Sequence, residues 1–436
     1  MKLVKMSLAA AVLLGASAFA IDNMKVDGDA SVYYGTNNKQ YTPVGGTAKS
    51  GLFDKTTSFA DTAVRVGVTG DLMKGVSFGV TGYAVSTLGL ENNLVSNTWT
   101  GAHGAAANTA ASVGVQVNDA SWIGEAWVAA TLGKTTAKIG RMELDTPLAF
   151  SEKWSIVPNT FEAAVLINQD IPDTTLVGAW VGKGNGTNTL HPAYNGPVGI
   201  DNVVAGAANF NTFMSDGAYA AAIVNNSFKP LTAQAWYYNV TNVADAFWLQ
   251  GDIACSLVKG VKIGAQYAQM DQKGHLYAAT SNSSAYAFKL GYEGVENLKV
   301  SAAYSKADRD GALKIANVAT ANGTSQSKLY TEAYWNYGYV GAPSAESFNV
   351  TGEYAIKDVV SLGAYYTQVS GNVANSWGGA NDHDLKEAAL TASKDFGPLN
   401  ATLAYISTDA KDQNIKVGNT TGSRYDSVLA MLKLKF

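Results

Sequence analysis

Apolar and polar residues alternate in short segments along most of this chain. The clearest segment runs from Val261 to Tyr267, where every second side chain is apolar or aromatic and Lys262, Gly264 and Gln266 lie between them. Four further segments repeat this template: 26–34, 298–304, 360–366 and 399–405. Because successive side chains of a strand point to opposite faces, this period predicts β-strands with one apolar and one polar face.

The connections between these segments are short and long in turn. Tight turns such as 294–297 and 357–358 alternate with polar stretches rich in Gly, Asn and Thr, the longest of which are 86–118, 183–216 and 307–345. This asymmetry is typical of bacterial outer-membrane barrels, whose short turns are periplasmic and whose long loops are extracellular. A secreted, soluble β-protein is the competing class, but a soluble sandwich gives no reason for so regular an asymmetry.

The composition favours an all-β membrane barrel. Only 15% of the residues are charged, compared with about 25% in typical soluble domains, and the chain contains 44 Gly and 22 Tyr. After residue 20, no segment approaches 18 consecutive apolar residues, which excludes a helical membrane protein. Cys255 is the only cysteine, so the chain has no disulfide framework.

The first twenty residues have the pattern of a secretion signal. Lys2 and Lys5 precede an apolar run over 6–16, and Ala18-Phe19-Ala20 matches a signal-peptidase site. An apolar stretch of about fifteen residues is too short for the alternative, a transmembrane helix. We therefore expect residues 1–20 to be removed and 21–436 to form one exported barrel. Without Lys2 and Lys5, 29 basic residues face 35 acidic ones, a mild charge that argues against a nucleic-acid partner.

The number of strands follows from the positions of the two chain ends. The pattern gives nineteen candidate strands, whereas a chain that starts and ends in the periplasm needs an even number. Leu329–Tyr339 is irregular, and counting it as a strand would make the tight 357–358 turn extracellular. We assign this segment to the loop 307–345, folded over the barrel mouth. The prediction is an antiparallel transmembrane barrel of eighteen strands.

Aromatic residues recur at a fixed offset in the strands that rise from the periplasm. Each lies about seven or eight residues after the strand begins, which corresponds to about 20 Å along a tilted strand. They predict an aromatic girdle at the lipid headgroups formed by Tyr34, Tyr83, Trp180, Tyr238, Tyr267, Tyr304, Tyr366 and Tyr405. Only the strand that ends at Arg141 lacks such a residue. On the last strand, Leu432, Leu434 and Phe436 predict the signal read by the barrel-assembly machinery.

A barrel of this size leaves an aqueous channel, so its narrowest point governs what passes. The segment of about 142–160 is too polar, and too often interrupted by proline, to be a strand, and it predicts an inward-folded constriction loop after the fifth strand. From Met142 to Glu162 four acids and one base give a balance of −3. Bases on the opposite wall would complete a transverse field. The predicted constriction residues are Arg65, Glu125, Lys138, Arg141, Glu143, Asp145, Glu152, Lys153 and Glu162.

Three sequence motifs in this region also carry a resemblance to a known family. Gly140-Arg141, Leu144-Asp145-Thr146-Pro147-Leu148 and Val157-Pro158-Asn159-Thr160-Phe161-Glu162 resemble the third-loop region of Opr-family porins. The likeness is greatest to the major outer membrane proteins of Campylobacter-like bacteria, which the segments 1–8 and 334–339 also resemble. The resemblance implies an eighteen-stranded barrel that assembles as a homotrimer, each copy with its own pore.

The sequence gives little support for catalysis, for a cofactor or for a metal site. The four histidines, at positions 103, 191, 275 and 383, lie far apart in predicted loops, and neither G-x-S-x-G nor H-E-x-x-H occurs, so we do not expect an enzyme. We expect no cofactor. The acidic pairs in 308–310 and 382–384 could bind calcium, but neither brings a full ligand set.

The sequence thus predicts an outer-membrane porin through which ions and small hydrophilic solutes diffuse passively, with a mild preference for cations. Outer-membrane lipid would surround the barrel. The alternative function is a surface adhesin, in which the loops 86–118, 183–216 and 307–345 bind a partner molecule.

Overall fold

The structure is a computed structural model. It describes residues 21–38, 51–90, 94–95, 119–186, 210–212, 217–241, 244–273, 282–311, 313–320, 325–371, 384–410, 415–416, 419–420 and 424–436. The predicted signal peptide lies outside these residues. Most of the loops 86–118 and 183–216 does so as well.

The described residues contain eighteen long strands. They are β1 (Asp22–Asn37), β2 (Ser58–Met73), β3 (Val76–Ser86), β4 (Ala120–Leu132), β5 (Thr135–Met142), β6 (Phe161–Asn168), β7 (Thr174–Gly184), β8 (Ala218–Asn225), β9 (Leu231–Val240), β10 (Ala244–Ala254), β11 (Val261–Gln272), β12 (Ser283–Tyr292), β13 (Leu298–Ala307), β14 (Glu346–Ile356), β15 (Val360–Ser370), β16 (Leu385–Phe396), β17 (Leu399–Ala410) and β18 (Arg424–Lys435). Short elements accompany them: a 3-10 helix at Lys55–Thr57 and two-residue strands at Asn211–Thr212, Ile415–Lys416 and Asn419–Thr420.

The long strands close into a barrel. Each pairs antiparallel with the strands before and after it, and β18 returns to β1, where Leu432 lies opposite Val32. Closure leaves no unpaired edge, so the backbone groups of the first and last strands are hydrogen-bonded as in the rest of the sheet. The predicted architecture, an antiparallel barrel of eighteen strands, is confirmed.

Short turns gather at one end of the barrel, here called the turn end, and longer connections at the other, the loop end. Gly133 begins the two-residue turn between β4 and β5 with φ = 62°, and Gly397 does the same between β16 and β17 with φ = 63°. Glycine suits these positions because a side chain disfavours positive φ. The first strand starts at the turn end and the last strand returns there, as an even strand count requires.

The barrel wall has an apolar outer face and a more polar inner face. On β11, Ile263 and Tyr267 are exposed on the outside, whereas Gln266 and Ala268 are buried on the inside. The predicted alternation is therefore confirmed on this strand. Among the described residues, no helix has the length and hydrophobicity needed to cross a membrane.

Two long connections fold into the interior instead of extending from the barrel. One is the constriction loop, residues 143–160 between β5 and β6; the other, residues 308–345 between β13 and β14, is here called the lumen loop. Leu329–Tyr339 belongs to the lumen loop and is not a strand, as predicted. Its predicted place over the barrel mouth is wrong, however, because it lies against the inner wall: the Tyr330 backbone N–H donates to Gln266 Oε1 on β11 (3.0 Å).

Candidate functional site

The constriction loop begins by packing along the inner wall. Leu148 is buried in the main hydrophobic cluster beside Tyr238 of β9, whose hydroxyl accepts a hydrogen bond from the Leu148 backbone N–H (3.4 Å). A bridge between Asp145 and Phe150 closes a tight bend around Pro147. The apolar residues therefore fix the course of the loop, and its charged residues lie between these anchors.

The tip of the loop reaches a different sector of the wall. Ile156 and Val157 pack against Tyr33 of β1 and Tyr83 of β3. The constriction loop thus crosses the interior from β5 to the β1–β3 wall, which divides the lumen. This crossing supports the prediction that the loop narrows the barrel.

The tip contact also corrects one predicted girdle residue. Tyr83 is only 4% exposed and stacks on Trp122, with ring centroids 5.6 Å apart, inside the barrel. Tyr238 is likewise buried inside, and its neighbour Tyr237 occupies the outer face instead. The assignments of Tyr83 and Tyr238 to the girdle are therefore wrong, because adjacent residues of a strand face opposite sides.

The other predicted girdle residues lie on the outer face. They are Tyr34, Trp180, Tyr267, Tyr304, Tyr366 and Tyr405. Several of their hydroxyls donate to an acceptor on the same face, for example Tyr304 to Glu346 Oε1 (2.8 Å) and Tyr267 to Gln269 Oε1 (2.7 Å). An aromatic ring below a hydrogen-bonded polar tip is the arrangement found where an apolar layer meets water. Leu432, Leu434 and Phe436 are also exposed on the outer face.

Seven of the nine predicted constriction residues lie inside the barrel, and six of them surround one part of the lumen. Arg65, Glu125 and Lys138 occupy inward positions of β2, β4 and β5, and Glu143, Asp145 and Lys153 lie on the loop that faces them. Lys153 Nζ lies 2.5 Å from Glu143 Oε2. The structure therefore gathers acids and bases around one part of the lumen.

Arg65 is held by acids that the sequence analysis did not select. Its Nε lies 2.8 Å from Asp29 Oδ2, and its Nη2 lies 3.7 Å from Asp27 Oδ1, both on β1. Alternation on β1 already placed these aspartates on the polar face, so the signal was present. Lys328 of the lumen loop is another addition, since its ammonium group contacts the Asp145 carboxylate.

Glu152 has a structural position that the sequence did not indicate. Its side chain is buried, and its Oε1 accepts hydrogen bonds from Asn317 Nδ2 (3.0 Å), Thr320 Oγ1 (2.7 Å) and the Gln326 backbone N–H (3.0 Å). All three donors belong to the lumen loop. Glu152 therefore clamps the two inner loops together, and its predicted place on the pore surface is wrong.

Arg141 and Glu162 lie on the outside of the barrel. Lys138 faces the lumen, so Arg141, three residues later on the same strand, must face outward. Its Nε lies 3.0 Å from Glu162 Oε1, and Lys183 Nζ lies 3.6 Å from Glu162 Oε2. The prediction that Arg141 and Glu162 line the constriction is wrong. Without Glu152 and Glu162, the inward charge balance of the loop is −1 instead of −3.

A row of lysines on the inner wall was also missed. Lys262, Lys289 and Lys299 lie on inward positions of the consecutive strands β11, β12 and β13, near the turn end. Together with Asp252 and Glu353 they line a cavity of about 420 Å³. Lys289 Nζ lies 4.3 Å from the ring centre of Tyr330, which itself donates to Asp252 Oδ1 (2.7 Å). The alternation of β11 and β13 had placed Lys262 and Lys299 on the polar face.

The lumen loop holds two buried titratable groups of opposite charge type. Burial lowers the pKa of Lys314 to about 8 and raises the pKa of Glu332 to about 8. Lys314 Nζ donates to the Ser325 carbonyl (2.6 Å), and Glu332 Oε1 accepts from the Ala333 backbone N–H (3.0 Å). These bonds compensate in part for removing both groups from water.

The sequence contains four histidines and two acidic pairs that bear on catalysis or calcium binding. The four histidines lie outside the described residues, as do Asp382 and His383 of the second predicted calcium site. At the first site, Asp308 accepts a hydrogen bond from the Ser284 hydroxyl. Within the described residues, no group of three or more His, Cys, Asp or Glu side chains is arranged to hold a metal ion.

Known structures share this fold. The chain superposes on Acinetobacter baumannii OccAB2 with a TM-score of 0.70 and 15% identity, covering 95% of this chain and 98% of that one. Pseudomonas aeruginosa OpdK, determined with vanillate, gives 0.69 and 12% over 95% and 98%. Pseudomonas aeruginosa OccK2, in complex with glucuronate, gives 0.67 and 12% over 95% and 96%. At these identities the likeness establishes the fold. No protein-family model and no curated protein sequence matches the chain.

Proposed function

We propose that this protein is an outer-membrane porin through which ions and small hydrophilic solutes diffuse passively, without catalysis. The observation that carries the proposal is the contrast between the two faces of a closed barrel. The outer face is apolar with a belt of aromatic residues, whereas charged side chains from the wall and the constriction loop meet inside. A barrel of sixteen to eighteen strands leaves room for an aqueous channel.

Location and assembly follow from the same proposal. Residues 1–20 would direct export, and the exposed Leu432, Leu434 and Phe436 on β18 would be read by the barrel-assembly machinery. Outer-membrane lipid would contact the apolar face. The resemblance to Opr-family porins favours a homotrimer with one pore in each copy.

The charges at the constriction favour a mild preference for cations. Five acids lie there, namely Asp27, Asp29, Glu125, Glu143 and Asp145, and four bases, namely Arg65, Lys138, Lys153 and Lys328. An excess of one negative charge attracts cations weakly. This excess is smaller than the sequence indicated, so the expected selectivity is also smaller.

The lysine row favours a solute class. Vanillate and glucuronate, found with two proteins of the same fold, both carry a carboxylate. Lys262, Lys289 and Lys299 present three ammonium groups on the inner wall near the turn end. We therefore include small carboxylates among the solutes of this channel, held transiently by that wall after they pass the constriction.

Planar-bilayer conductance tests the proposal. Refolded protein should give stepwise conductance in KCl, and a salt gradient should give a small reversal potential of the cation-selective sign. Swelling of liposomes in sugars of rising size would then measure the size limit. A barrel that inserts but conducts nothing would refute the channel, and an anion-selective potential would refute the cation preference alone.

The structure weakens the adhesin alternative at one of the three loops proposed to bind a partner. Within the described part of the loop 307–345, Asn317, Thr320 and Thr331 are buried inside the barrel and are not accessible to a surface partner. The loops 86–118 and 183–216 lie mostly outside the described residues. Binding of cells or matrix proteins by a non-conducting barrel would favour this alternative.

A further inference from the structure

The height of the aromatic belt can be read from the strands that rise from the turn end. On six of them, the sixth residue after the first is an outward aromatic: Trp180, Tyr237, Tyr267, Tyr304, Tyr366 and Tyr405. On β1 and β3 the same position holds Gly28 and Gly82, and on β5 it holds Arg141; β1 carries its outward aromatic, Tyr34, six residues further on. The belt is therefore interrupted in one sector of the barrel.

In that sector, charged groups replace the aromatic rings. Arg141 and Lys183 flank Glu162 at 3.0 Å and 3.6 Å, and the Arg141 guanidinium lies 4.1 Å from the ring centre of Phe210. Arg141 Nη1 also donates to the Ile123 carbonyl (3.0 Å). These groups border an outward-facing cavity of about 670 Å³ whose other walls are mainly apolar. Ionised groups are unfavourable on a lipid-facing wall, so this sector has a different neighbour from the rest of the barrel.

Two of the residues near these charges are glycines that the surrounding described residues do not require to be small. A Cβ atom at Gly82 or at Gly178 would meet nothing within 4 Å, and neither residue has a backbone conformation reserved for glycine. Ala126 and Ala164 are the outward residues on the strands between them. No contact within the described part of the chain therefore requires a small residue at these two positions.

We infer that the outer face of β3–β7 around Arg141, Glu162 and Lys183 is the surface through which two copies of this chain contact each other. This inference rests on the proposed membrane location. A soluble partner cannot reach a wall at belt height, so the neighbour is a lipid or another membrane protein. Lipid contacts use the aromatic belt elsewhere on this barrel, whereas on this face only Trp180, on the β7 edge, belongs to the belt.

A second copy fits the chemistry of the face. The face carries both signs of charge, so a second copy offers a carboxylate to Arg141 and Lys183 and a cation to Glu162. The small residues allow the two walls to approach closely, which strengthens dispersion contacts where no hydrophobic effect operates. In the contact, the charged groups are shielded from hydrocarbon.

A steric substitution tests the contact. Ala164→Trp places a large ring in the centre of the face, between Ile139 and Trp180. Ala302→Trp is the matched control, because Ala302 lies between Leu290 and Val350 on the outer face of β13, where the belt is intact. We expect native mass spectrometry and unheated electrophoresis to show an oligomer for the wild type and for Ala302→Trp, and a monomer for Ala164→Trp.

Conductance separates this inference from the proposed function. The monomeric Ala164→Trp protein should still form channels in planar bilayers, because the substitution lies outside the lumen. An oligomer that survives Ala164→Trp would overturn the inference and leave the porin proposal intact. A wild type that is monomeric in native membranes would overturn it too. The same holds if that monomer retains a phospholipid or lipopolysaccharide molecule, because the neighbour of this face would then be a lipid.

Cross-linking provides a test that does not depend on disrupting the contact. In a Cys255→Ser background, Ile139→Cys and Leu390→Cys introduce single thiols on the outer face, at side chains that are 62% and 61% exposed. A short bis-maleimide applied to membranes should yield a dimer band with Ile139→Cys and none with Leu390→Cys. Equal bands, or none with Ile139→Cys, would contradict the inference.

Discussion

Glu152 of the constriction loop and Asn317 of the lumen loop share a buried hydrogen bond of 3.0 Å, although they are 165 positions apart in the chain. Thr320 and the Gln326 backbone donate to the same carboxylate oxygen. This carboxylate thus joins the two inner loops, alongside the hydrogen bonds between Asn317 and the Phe150 backbone. A carboxylate that accepts several hydrogen bonds is well compensated for its burial.

Removing this carboxylate should loosen the interior without opening the barrel wall. Glu152→Ala leaves buried donors without an acceptor, at a cost of about 3 kcal/mol. We expect a lower thermal midpoint and frequent conductance fluctuations in single-channel records. Glu296→Ala, which removes an exposed acid from the turn between β12 and β13, serves as the control. Quiet channels and an unchanged midpoint in Glu152→Ala would show that the clamp is dispensable.

The lumen loop should be least stable near pH 8. The pKa of Glu332 is raised to about 8 in the fold, so its contribution to stability is complete below the unfolded value of about 4.3 and is lost as pH rises toward 8. The pKa of Lys314 is lowered to about 8, so stability is regained as pH rises from 8 to about 10.4. Hydrogen exchange of residues 325–345 at pH 5.5, 8 and 10.5, corrected for intrinsic rates, measures this.

Two variants separate the contributions of Lys314 and Glu332. Glu332→Gln mimics the protonated acid and should remove the loss of protection between pH 5.5 and 8. Lys314→Met should remove the recovery above pH 8. Protection that changes monotonically with pH in the wild type would contradict the expected minimum.

Ion selectivity should respond only to charges inside the barrel. Glu143→Gln combined with Asp145→Asn removes two acids from the constriction and should shift the reversal potential toward anions. A unit charge changes an ion's energy by about 1 kcal/mol at 4 Å in water, so each acid should alter the permeability ratio by at most about fivefold. Glu162→Gln removes an outward acid and should leave the ratio unchanged. An equal shift in that control would indicate that Glu162 acts on the pore.

The lysine row should affect carboxylates more than neutral solutes. Lys289→Ala removes the central ammonium group of the row and should slow glucuronate entry into liposomes relative to glucose. We expect a change of about two- to fivefold, because an exposed charge contact contributes about 1 kcal/mol or less. Lys394→Ala on the outer face, where Nζ lies 5.2 Å from the Phe396 ring centre, is the matched control. If Lys394→Ala slowed glucuronate entry more than Lys289→Ala did, the row would be excluded as a carboxylate site.

The sequence by itself determined the wall of this protein. Alternation in segments such as Val261–Tyr267 identifies strands because one face meets an apolar layer and the other does not. The requirement for an even number of strands excluded Leu329–Tyr339 from the wall. Where both alternating sets contain apolar residues, as around Gly82 and Tyr83, the pattern could not decide which residue faces out.

Only the tertiary structure decided how the two inner loops are arranged inside the barrel. The inner loops are irregular, so no period relates their residues to a face, and their contacts join distant parts of the chain. Glu152 and Glu143 look alike in the sequence, but one is buried by donors from the lumen loop and the other faces Lys153. Arg141 differs from these two, because alternation alone already places it on the face opposite Lys138 once Lys138 is assigned to the lumen.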